Sequence, residues 1–190
     1  MLAPILESDK HALIWINSHH SLPLDAILAP VAYAGEGGAL WFALALGLLV
    51  FGKRPHRVTG LVLALTIILV DRLICAPLGH AFFRTRPYLD VDGIRQLGVR
   101  WSGTSFPSGH AHSVWIAAIT LGSQWRKLAI PLLVFGLLTC YSRPYCGMHY
   151  PLDVMAGSVV GISAGFLVAA GRRTWNRHHA SKAQTQARGQ

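Results

Sequence analysis

Three short stretches of the chain contain side chains that together suit chemistry on a phosphate group. They are residues 84–87 (RTRP), residues 106–110 (FPSGH) and residues 142–153 (SRPYCGMHYPLD). Attack on phosphorus needs cations and hydrogen-bond donors around the phosphoryl oxygens, and it needs a nucleophile and an acid in line with the bond that breaks. The three stretches contain residue types for each of these tasks.

The candidate phosphate ligands are three arginines and a predicted helix start. An arginine can donate two parallel hydrogen bonds to phosphate oxygens. A helix start presents free backbone N–H groups, and its dipole favours an anion. The predicted phosphate-binding residues are therefore Arg84, Arg86, Ser108, Gly109 and Arg143, with a surface charge as the open alternative for Arg84.

The candidate catalytic residues are two histidines and an aspartate. His110 and His149 have the chemistry of a general acid and a nucleophile. Asp153 follows His149 by four residues, which is about one helical turn. A carboxylate in that position can keep one imidazole nitrogen protonated and leave the other free to attack, as in a catalytic triad.

The elements that must position these residues are strongly apolar. Of the 190 residues, 52% are hydrophobic and 13% are charged, whereas soluble domains carry about 25% charged residues. We therefore predict an all-α fold, a polytopic membrane helix bundle with five to six transmembrane helices. Gly157, Gly161 and Gly165 recur at every fourth position, which predicts close approach of a neighbouring helix. The apolar blocks cover residues 38–52, 58–79, 111–124, 128–141 and 152–170, and a shorter block covers 24–35.

The basic residues predict the orientation of the chain in the membrane. Cytoplasmic loops are enriched in lysine and arginine, so we expect the basic loops and the C-terminus in the cytoplasm. The three chemistry-bearing stretches then face the periplasm or the exterior of the plasma (inner) membrane. The formal charge of +9 belongs to these loops, and nucleic acid is not an expected partner. Ten of the 17 basic residues follow alternate blocks: Lys53, Arg54, Arg57, Arg126, Lys127, Arg172, Arg173, Arg177, Lys182 and Arg188.

The same patterns divide the chain into three parts. Residues 1–23 are predicted to form an interfacial segment, because they contain Trp15 and a polar SHHS stretch. Residues 24–171 form the predicted membrane domain. Residues 172–190 form a predicted basic cytoplasmic tail, which is expected to be disordered.

The PSGH motif at residues 107–110 and the SRx5Hx3D motif at residues 142–153 resemble the type 2 phosphatidic acid phosphatase superfamily. The likeness covers about residues 20–170. The resemblance implies that His149 forms a phosphohistidine, that Asp153 orients it and that His110 protonates the leaving group. It also implies a lipid phosphate substrate in the bilayer, with no metal or other cofactor. The residues that it implies around the phosphoryl group are Arg86, Ser108, Gly109 and Arg143.

One position departs from the family pattern. The first family motif is a lysine, six residues and then Arg-Pro, and counting back from Arg86 places Gly79 at the lysine position. The nearby basic residues are His80, Arg84 and Arg72. A missing phosphate-binding cation affects the rate and the choice of substrate more than the type of reaction.

The predicted function is an integral membrane phosphatase that hydrolyses a phosphate monoester or pyrophosphate of a lipid head group. The resemblance favours undecaprenyl pyrophosphate or phosphatidylglycerophosphate as the substrate. Two alternatives stay open at this point: a lipid phosphotransferase that uses the same histidine, and a non-catalytic lipid-phosphate binder or transporter. The intact His110, His149 and Asp153 argue against the non-catalytic alternative.

Overall fold

The computed structural model of the protein describes the backbone of residues 2–188 and the side chains of residues 3–179, and every regular element within those bounds is a helix. This confirms the predicted all-α class. A 3₁₀ turn at Glu36–Gly38 joins α2 to α3, and a π-helical turn at Asp71–Cys75 joins α4 to α5. The α-helices in the described part are α1 (Leu2–Ser18), α2 (Leu22–Ala34), α3 (Ala39–Phe51), α4 (Arg54–Val70), α5 (Ala76–Ala81), α6 (Pro87–Asp90), α7 (Gly109–Gln124), α8 (Arg126–Tyr145) and α9 (Pro151–Arg188).

The central helix of the bundle is α7, which begins within the second chemistry-bearing stretch. Twelve of its 16 residues are buried, and it packs against α4, α8 and α9. A Cβ on Gly157 would lie 2.4 Å from the carbonyl oxygen of Ser108, and a Cβ on Gly161 would lie 2.4 Å from that of His112. The predicted close approach is confirmed, and it sets the start of α7 against the first turns of α9.

Fewer helices pass the length and composition criteria for a membrane span than the sequence predicts. Within the described residues, three helices are long and apolar enough to cross a membrane: Arg54–Ala81, Arg126–Tyr145 and Pro151–His179. The pair Leu22–Ala34 and Glu36–Phe51, bent by 48°, makes a fourth if it counts as one span. Five to six spans are therefore not confirmed. The reason is length, because the 16 residues of α7 give about 24 Å of helix against ~30 Å of hydrocarbon.

The loops of the bundle gather at two opposite ends. At one end Arg86 contacts His149, which joins the first and third chemistry-bearing stretches. At the other end Arg172 donates a hydrogen bond to Thr59 Oγ1, which joins two of the basic segments. The structure thus separates the chemistry-bearing stretches from the basic loops, and the side of the membrane that each end faces stays a prediction.

The two termini of the chain flank the bundle in different ways. α1 packs at the end that carries the three stretches, where Asn17 donates hydrogen bonds to the carbonyl oxygens of Arg95 and Tyr145 at 2.8 Å each. The backbone of α9 continues as a helix to Arg188, whereas the sequence predicts a disordered tail from residue 172. Residues 189–190 of that predicted tail lie outside the described residues.

Candidate active site

His149 lies in the turn between α8 and α9, and its side chain is buried, with 3% exposure. Gly147 has a φ of +69°, and a Cβ there would lie 2.6 Å from Ile94, so this turn requires glycine. The turn places Nδ1 of His149 2.7 Å from the carbonyl oxygen of Ser105. On the other side of the ring, Nη1 of Arg86 lies 3.3 Å from Nε2.

These two contacts define where the His149 ring carries its proton. A carbonyl oxygen only accepts hydrogen bonds, so Nδ1 is the protonated nitrogen, and an arginine only donates, so Nε2 is the bare one. Burial lowers the pKa of His149 to about 4, and the cations Arg143 and Arg86 act in the same direction. At pH 7 the ring is therefore a neutral imidazole with a fixed tautomer, which is the form that can attack phosphorus.

Asp153, in the first turn of α9, does not make the hydrogen bond to His149 that the sequence predicts. Its Oδ2 lies 3.8 Å from Nδ1 of His149 and accepts the backbone N–H of Tyr150 at 2.9 Å. A four-residue spacing aligns two side chains only when both are helical, and His149 precedes the helix start at Pro151. The Ser105 carbonyl holds the tautomer, and Asp153 contributes a negative charge near the ring.

Arg84 also has a different environment from the predicted one. Its Nη1 donates to Oδ1 of Asp153 at 2.9 Å, and its Nη2 lies 2.7 Å from Oδ2 of Asp9. The guanidinium lies 3.6 Å from the centre of the Tyr150 ring. Carboxylates therefore contact both terminal nitrogens of Arg84, for which the sequence leaves a phosphate ligand and a surface charge as alternatives.

Asp9 is a neighbour of the site, and the motifs did not predict it. Its carboxylate is buried, where it accepts the backbone N–H of Leu152 at 2.9 Å, and burial raises its pKa. The contact with Arg84 ties α1 to the first chemistry-bearing stretch. Nothing in the sequence links residues 1–23 to the motifs, so this participation of α1 was not predictable from spacing.

Arg143 and His110 face a carboxylate that lies outside the motifs. Arg143 is 1% exposed, and its Nη1 donates to the carbonyl oxygen of Ala32 at 3.2 Å. Its Nη2 lies 3.7 Å from Oε1 of Glu36, and Nε2 of His110 lies 3.9 Å from the same oxygen. Trp101 donates its indole N–H to the other carboxylate oxygen of Glu36. Glu36 therefore places a negative charge beside both an arginine and a histidine of the predicted site.

Three glycines allow the Glu36 carboxylate to reach this position. A Cβ on Gly35 would lie 2.7 Å from Cδ2 of His110, so only glycine permits that approach. Gly37 and Gly38 have φ values of +57° and +74°, which glycine adopts at little cost. Glu36 lies outside the motifs and was not predicted as a site residue. The available signal was an acidic residue between glycines in an apolar part of the chain.

The predicted site residues from all three stretches have polar groups that lack partners. Ser108 is the N-cap residue of α7 and its side chain makes no capping hydrogen bond, while Gly109 is the first residue of that helix. Buried polar groups are normally paired, and a phosphoryl group among these atoms would satisfy them. The buried polar atoms without a hydrogen-bond partner among the described residues include Nε of Arg86, Oγ of Ser108, Nε2 of His110 and Nε of Arg143.

The structure gives a steric reason for the glycine at position 79. A Cβ on Gly79 would lie 2.8 Å from Cγ2 of Thr104 and 2.9 Å from the carbonyl oxygen of Phe106. The loop that leads to α7 therefore occupies the space in which a lysine side chain would begin. Of the nearby basic residues, His80 is exposed and Arg84 is paired with carboxylates.

The chain is similar to known membrane phosphatases in sequence and in fold. Residues 58–177 match the sequence profile of the PAP2 superfamily. The chain is 33% identical over 159 residues to Undecaprenyl-diphosphatase BcrC of Bacillus subtilis, which covers 79% of this chain and 76% of that protein. It is 30% identical over 179 residues to Lipid A 4'-phosphatase of Bacteroides thetaiotaomicron, with coverage of 88% and 78%. The crystal structure of LpxE from Aquifex aeolicus superimposes with a TM-score of 0.71 and 28% identity, covering 83% of this chain and 92% of that chain.

Proposed function

The chain belongs to the PAP2 superfamily, and from this membership we propose that it is an integral membrane phosphatase that hydrolyses a phosphate monoester or diphosphate of a lipid head group through a phosphohistidine. The observation that carries the proposal is the state of His149. Its protonated Nδ1 is bound to the Ser105 carbonyl at 2.7 Å, and its bare Nε2 lies 3.3 Å from Arg86. A buried nitrogen lone pair beside an arginine is arranged to meet a phosphoryl group.

The first chemical step transfers the phosphoryl group to the enzyme. Nε2 of His149 attacks phosphorus, and the bond from phosphorus to the leaving oxygen breaks. Burial and the nearby Arg143 lower the pKa of His110 well below its usual value, so the negative charge of the bound phosphate must raise it again and hold His110 in its protonated form. His110 then donates its proton to the leaving oxygen, so the lipid leaves in protonated form. The phosphorylated imidazole carries a positive charge, which the Ser105 carbonyl and the Asp153 carboxylate, 3.8 Å from Nδ1, stabilise.

The second step returns the enzyme to its starting state. His110, now neutral, accepts a proton from a water molecule as that water attacks phosphorus. The bond between phosphorus and Nε2 of His149 breaks, and the nitrogen recovers its lone pair. Inorganic phosphate leaves, so the balance requires only substrate and water, and we expect no metal requirement.

The remaining site residues are assigned to binding and positioning. Arg86, Arg143 and the helix start at Ser108 and Gly109 hold the phosphoryl oxygens, which would pair the buried polar atoms that lack partners among the described residues. Arg84 is a positioning residue, because carboxylates hold its guanidinium. Removing a ligand of the phosphoryl group should cost about 10²–10³-fold in rate, as is usual for such donors.

A lipid substrate suits the location of the site at one end of the bundle, beside the ends of the spanning helices. Two relatives carry the names undecaprenyl-diphosphatase and lipid A 4'-phosphatase, which describe lipid phosphates. We propose undecaprenyl pyrophosphate first and phosphatidylglycerophosphate second. Because the basic loops lie at the opposite end, the site faces the periplasm or exterior of the inner membrane and the C-terminus is cytoplasmic.

The test of this function is phosphate release by the purified protein in detergent with EDTA present. The substrates are undecaprenyl pyrophosphate, phosphatidylglycerophosphate, phosphatidic acid and a lipid A phosphate. We expect release that vanadate inhibits, together with an acid-labile phosphoenzyme, and His149→Ala should abolish both. His80→Ala is the matched control, because His80 is an exposed histidine outside the site and its replacement should change the rate by less than about twofold.

Each other outcome would change the assignment in a defined way. Release that persists in His149→Ala would refute the nucleophile, and release that EDTA abolishes would point to a metal. A phosphoenzyme that passes its phosphate to an acceptor other than water would make the protein a phosphotransferase. Neither phosphoenzyme nor phosphate release from any lipid would favour a non-catalytic lipid-phosphate binder.

A further inference from the structure

We propose that Arg72 binds the phosphate that stays on the lipid when the substrate is a lipid diphosphate, in the cavity beside His110. This inference rests on the proposed function and names its substrate class. It is carried by the composition of the cavity wall, by the position of Arg72 in a membrane span and by the helix irregularity at that position.

The cavity has a volume of about 600 Å³ and lies beside the start of α7. One part of its wall contains His110 and Gly109, and another contains Phe42, Ile67 and Ile68. The described residues that line it include the proposed general acid but neither the proposed nucleophile nor the two phosphate-binding arginines. The cavity therefore lies on the leaving-group side of the reaction, with polar groups near His110 and apolar groups for the start of a lipid chain.

Arg72 is the cation in the described wall of this cavity. It belongs to the helical span Arg54–Ala81, nine residues before its end, and its side chain is 77% exposed. A charged residue within a spanning segment is expensive and marks a functional site unless it is paired. Asp71, which is about half exposed, forms an ion pair with Nε of Arg72 at 3.8 Å, but this distance is longer than a hydrogen bond and no ion pair is formed by the two terminal nitrogens of Arg72 among the described residues. The guanidinium therefore has donors that remain free for a ligand.

The backbone at Arg72 is also irregular. Residues Asp71–Cys75 form a π-helical turn between α4 and α5. Such turns within α-helices are uncommon and occur frequently at functional sites. Here the turn lies at the level of the cavity, and both Asp71 and Arg72 line the wall.

The chemistry of the leaving group explains why a cation at this place selects a diphosphate. When a phosphate monoester is cleaved, protonation by His110 turns the leaving group into a neutral alcohol. When a diphosphate is cleaved, the bridging oxygen leaves as part of a lipid phosphate, which keeps a negative charge after protonation. A guanidinium can bind that second phosphate through two parallel hydrogen bonds. Arg72 thus favours a diphosphate with an apolar chain over a monoester with the same chain.

The test compares farnesyl diphosphate with farnesyl monophosphate in detergent. The measured quantity is the ratio of kcat/KM for the diphosphate to kcat/KM for the monophosphate. We expect Arg72→Gln to lower this ratio by about 10- to 100-fold, the effect of a lost hydrogen bond to a charged group. Arg72→Lys should recover part of the ratio. Arg100→Gln is the control for net charge, because Arg100 is an exposed arginine of the loop before α7 that does not line the cavity.

Equal losses on both substrates, or no loss on either, would overturn the proposal, and so would an equal effect of Arg100→Gln. A second measurement separates it from the proposed function. Binding of both farnesyl phosphates is measured in the His149→Ala background and in the same background with Arg72→Gln. Arg72→Gln should reduce the preference for the diphosphate in binding as well. An unchanged preference would overturn the role of Arg72 even if the protein proved not to be a phosphatase.

Discussion

Replacement of Asp153 by asparagine distinguishes an aspartate that acts by charge from one that holds a tautomer. In the structure, Oδ2 of Asp153 lies 3.8 Å from Nδ1 of His149, while the Ser105 carbonyl accepts the Nδ1 proton at 2.7 Å. The asparagine variant therefore keeps the tautomer of His149. It removes the negative charge that faces the imidazolium of the phosphohistidine, together with one of the two hydrogen bonds that Asp153 accepts from Arg84 and from the Tyr150 backbone.

The size of this effect follows from the geometry. Two unit charges 3.8 Å apart attract each other by about 4 kcal/mol at an effective dielectric constant of about 20. Arg84, which donates to Oδ1 of Asp153 at 2.9 Å, offsets part of this attraction. We expect a net loss of about 2 to 3 kcal/mol in transition-state stabilisation, which is about a 30- to 200-fold lower kcat.

The assay is rapid acid quench of the phosphoenzyme together with steady-state phosphate release. The KM for the lipid substrate should change by less than about threefold in Asp153→Asn, because the phosphate ligands are retained. Asp92→Asn is the matched control, since Asp92 is an exposed aspartate at the same end of the bundle. A loss near 10⁴-fold would refute the reasoning, because that size accompanies a wrong tautomer. A loss below about threefold would also refute it, because the charge of Asp153 would then not stabilise the imidazolium of His149.

Three further predictions concern His149, Glu36 and Gly79. The pKa of His149 is about 4 in the folded chain and 6.5 in the unfolded chain, so the unfolded chain binds more protons between these pH values. The free energy of unfolding should therefore fall by about 3 kcal/mol as the pH drops through this range. Thermal unfolding in detergent from pH 7.5 to 4.5 measures this, and His149→Gln should flatten the profile; an equal slope in the variant would contradict the assignment. Glu36→Gln should lower kcat about tenfold on a lipid monophosphate and much less on p-nitrophenyl phosphate, whose leaving group needs no proton; equal losses would show that Glu36 does not act through His110. Gly79→Ala should destabilise the fold by about 2 kcal/mol through overpacking, whereas Gly47→Ala, where no atom lies within 4 Å of the added Cβ, should not; similar unfolding temperatures in both variants would contradict the steric account.

Much of the proposed site was predictable from the order and spacing of the motifs. PSGH opens α7, and SRx5Hx3D ends α8 and begins α9, so three helix ends had to meet at one end of the bundle. In the same way, the basic residues predicted which loops lie together at the opposite end of the bundle. The glycines at every fourth position of α9 also predicted the close approach to α7, because only small residues allow two helix backbones to come together.

The number of spans was harder to predict from apolar runs. An apolar block shows that a segment is buried, in lipid or in protein, but it does not tell which of the two. α7 is apolar because the other helices enclose it, and its 16 residues are short for a span. The bend between α2 and α3 was also hidden in an apolar run. It depends on the glycines around Glu36, which allow the backbone to approach His110.

The sequence by itself determined the helical membrane class and the family, and it predicted the motif residues of the proposed site, because apolar composition and fixed motif spacing are local properties. Only the tertiary structure decided which partner each charged group takes. Ser105 instead of Asp153 holds His149, Asp9 and Asp153 hold Arg84, and Glu36 faces Arg143. The physical reason is that a buried charge or hydrogen-bonding group must find a partner within reach. Helices far apart in the chain supply that partner, and only their packing brings it there.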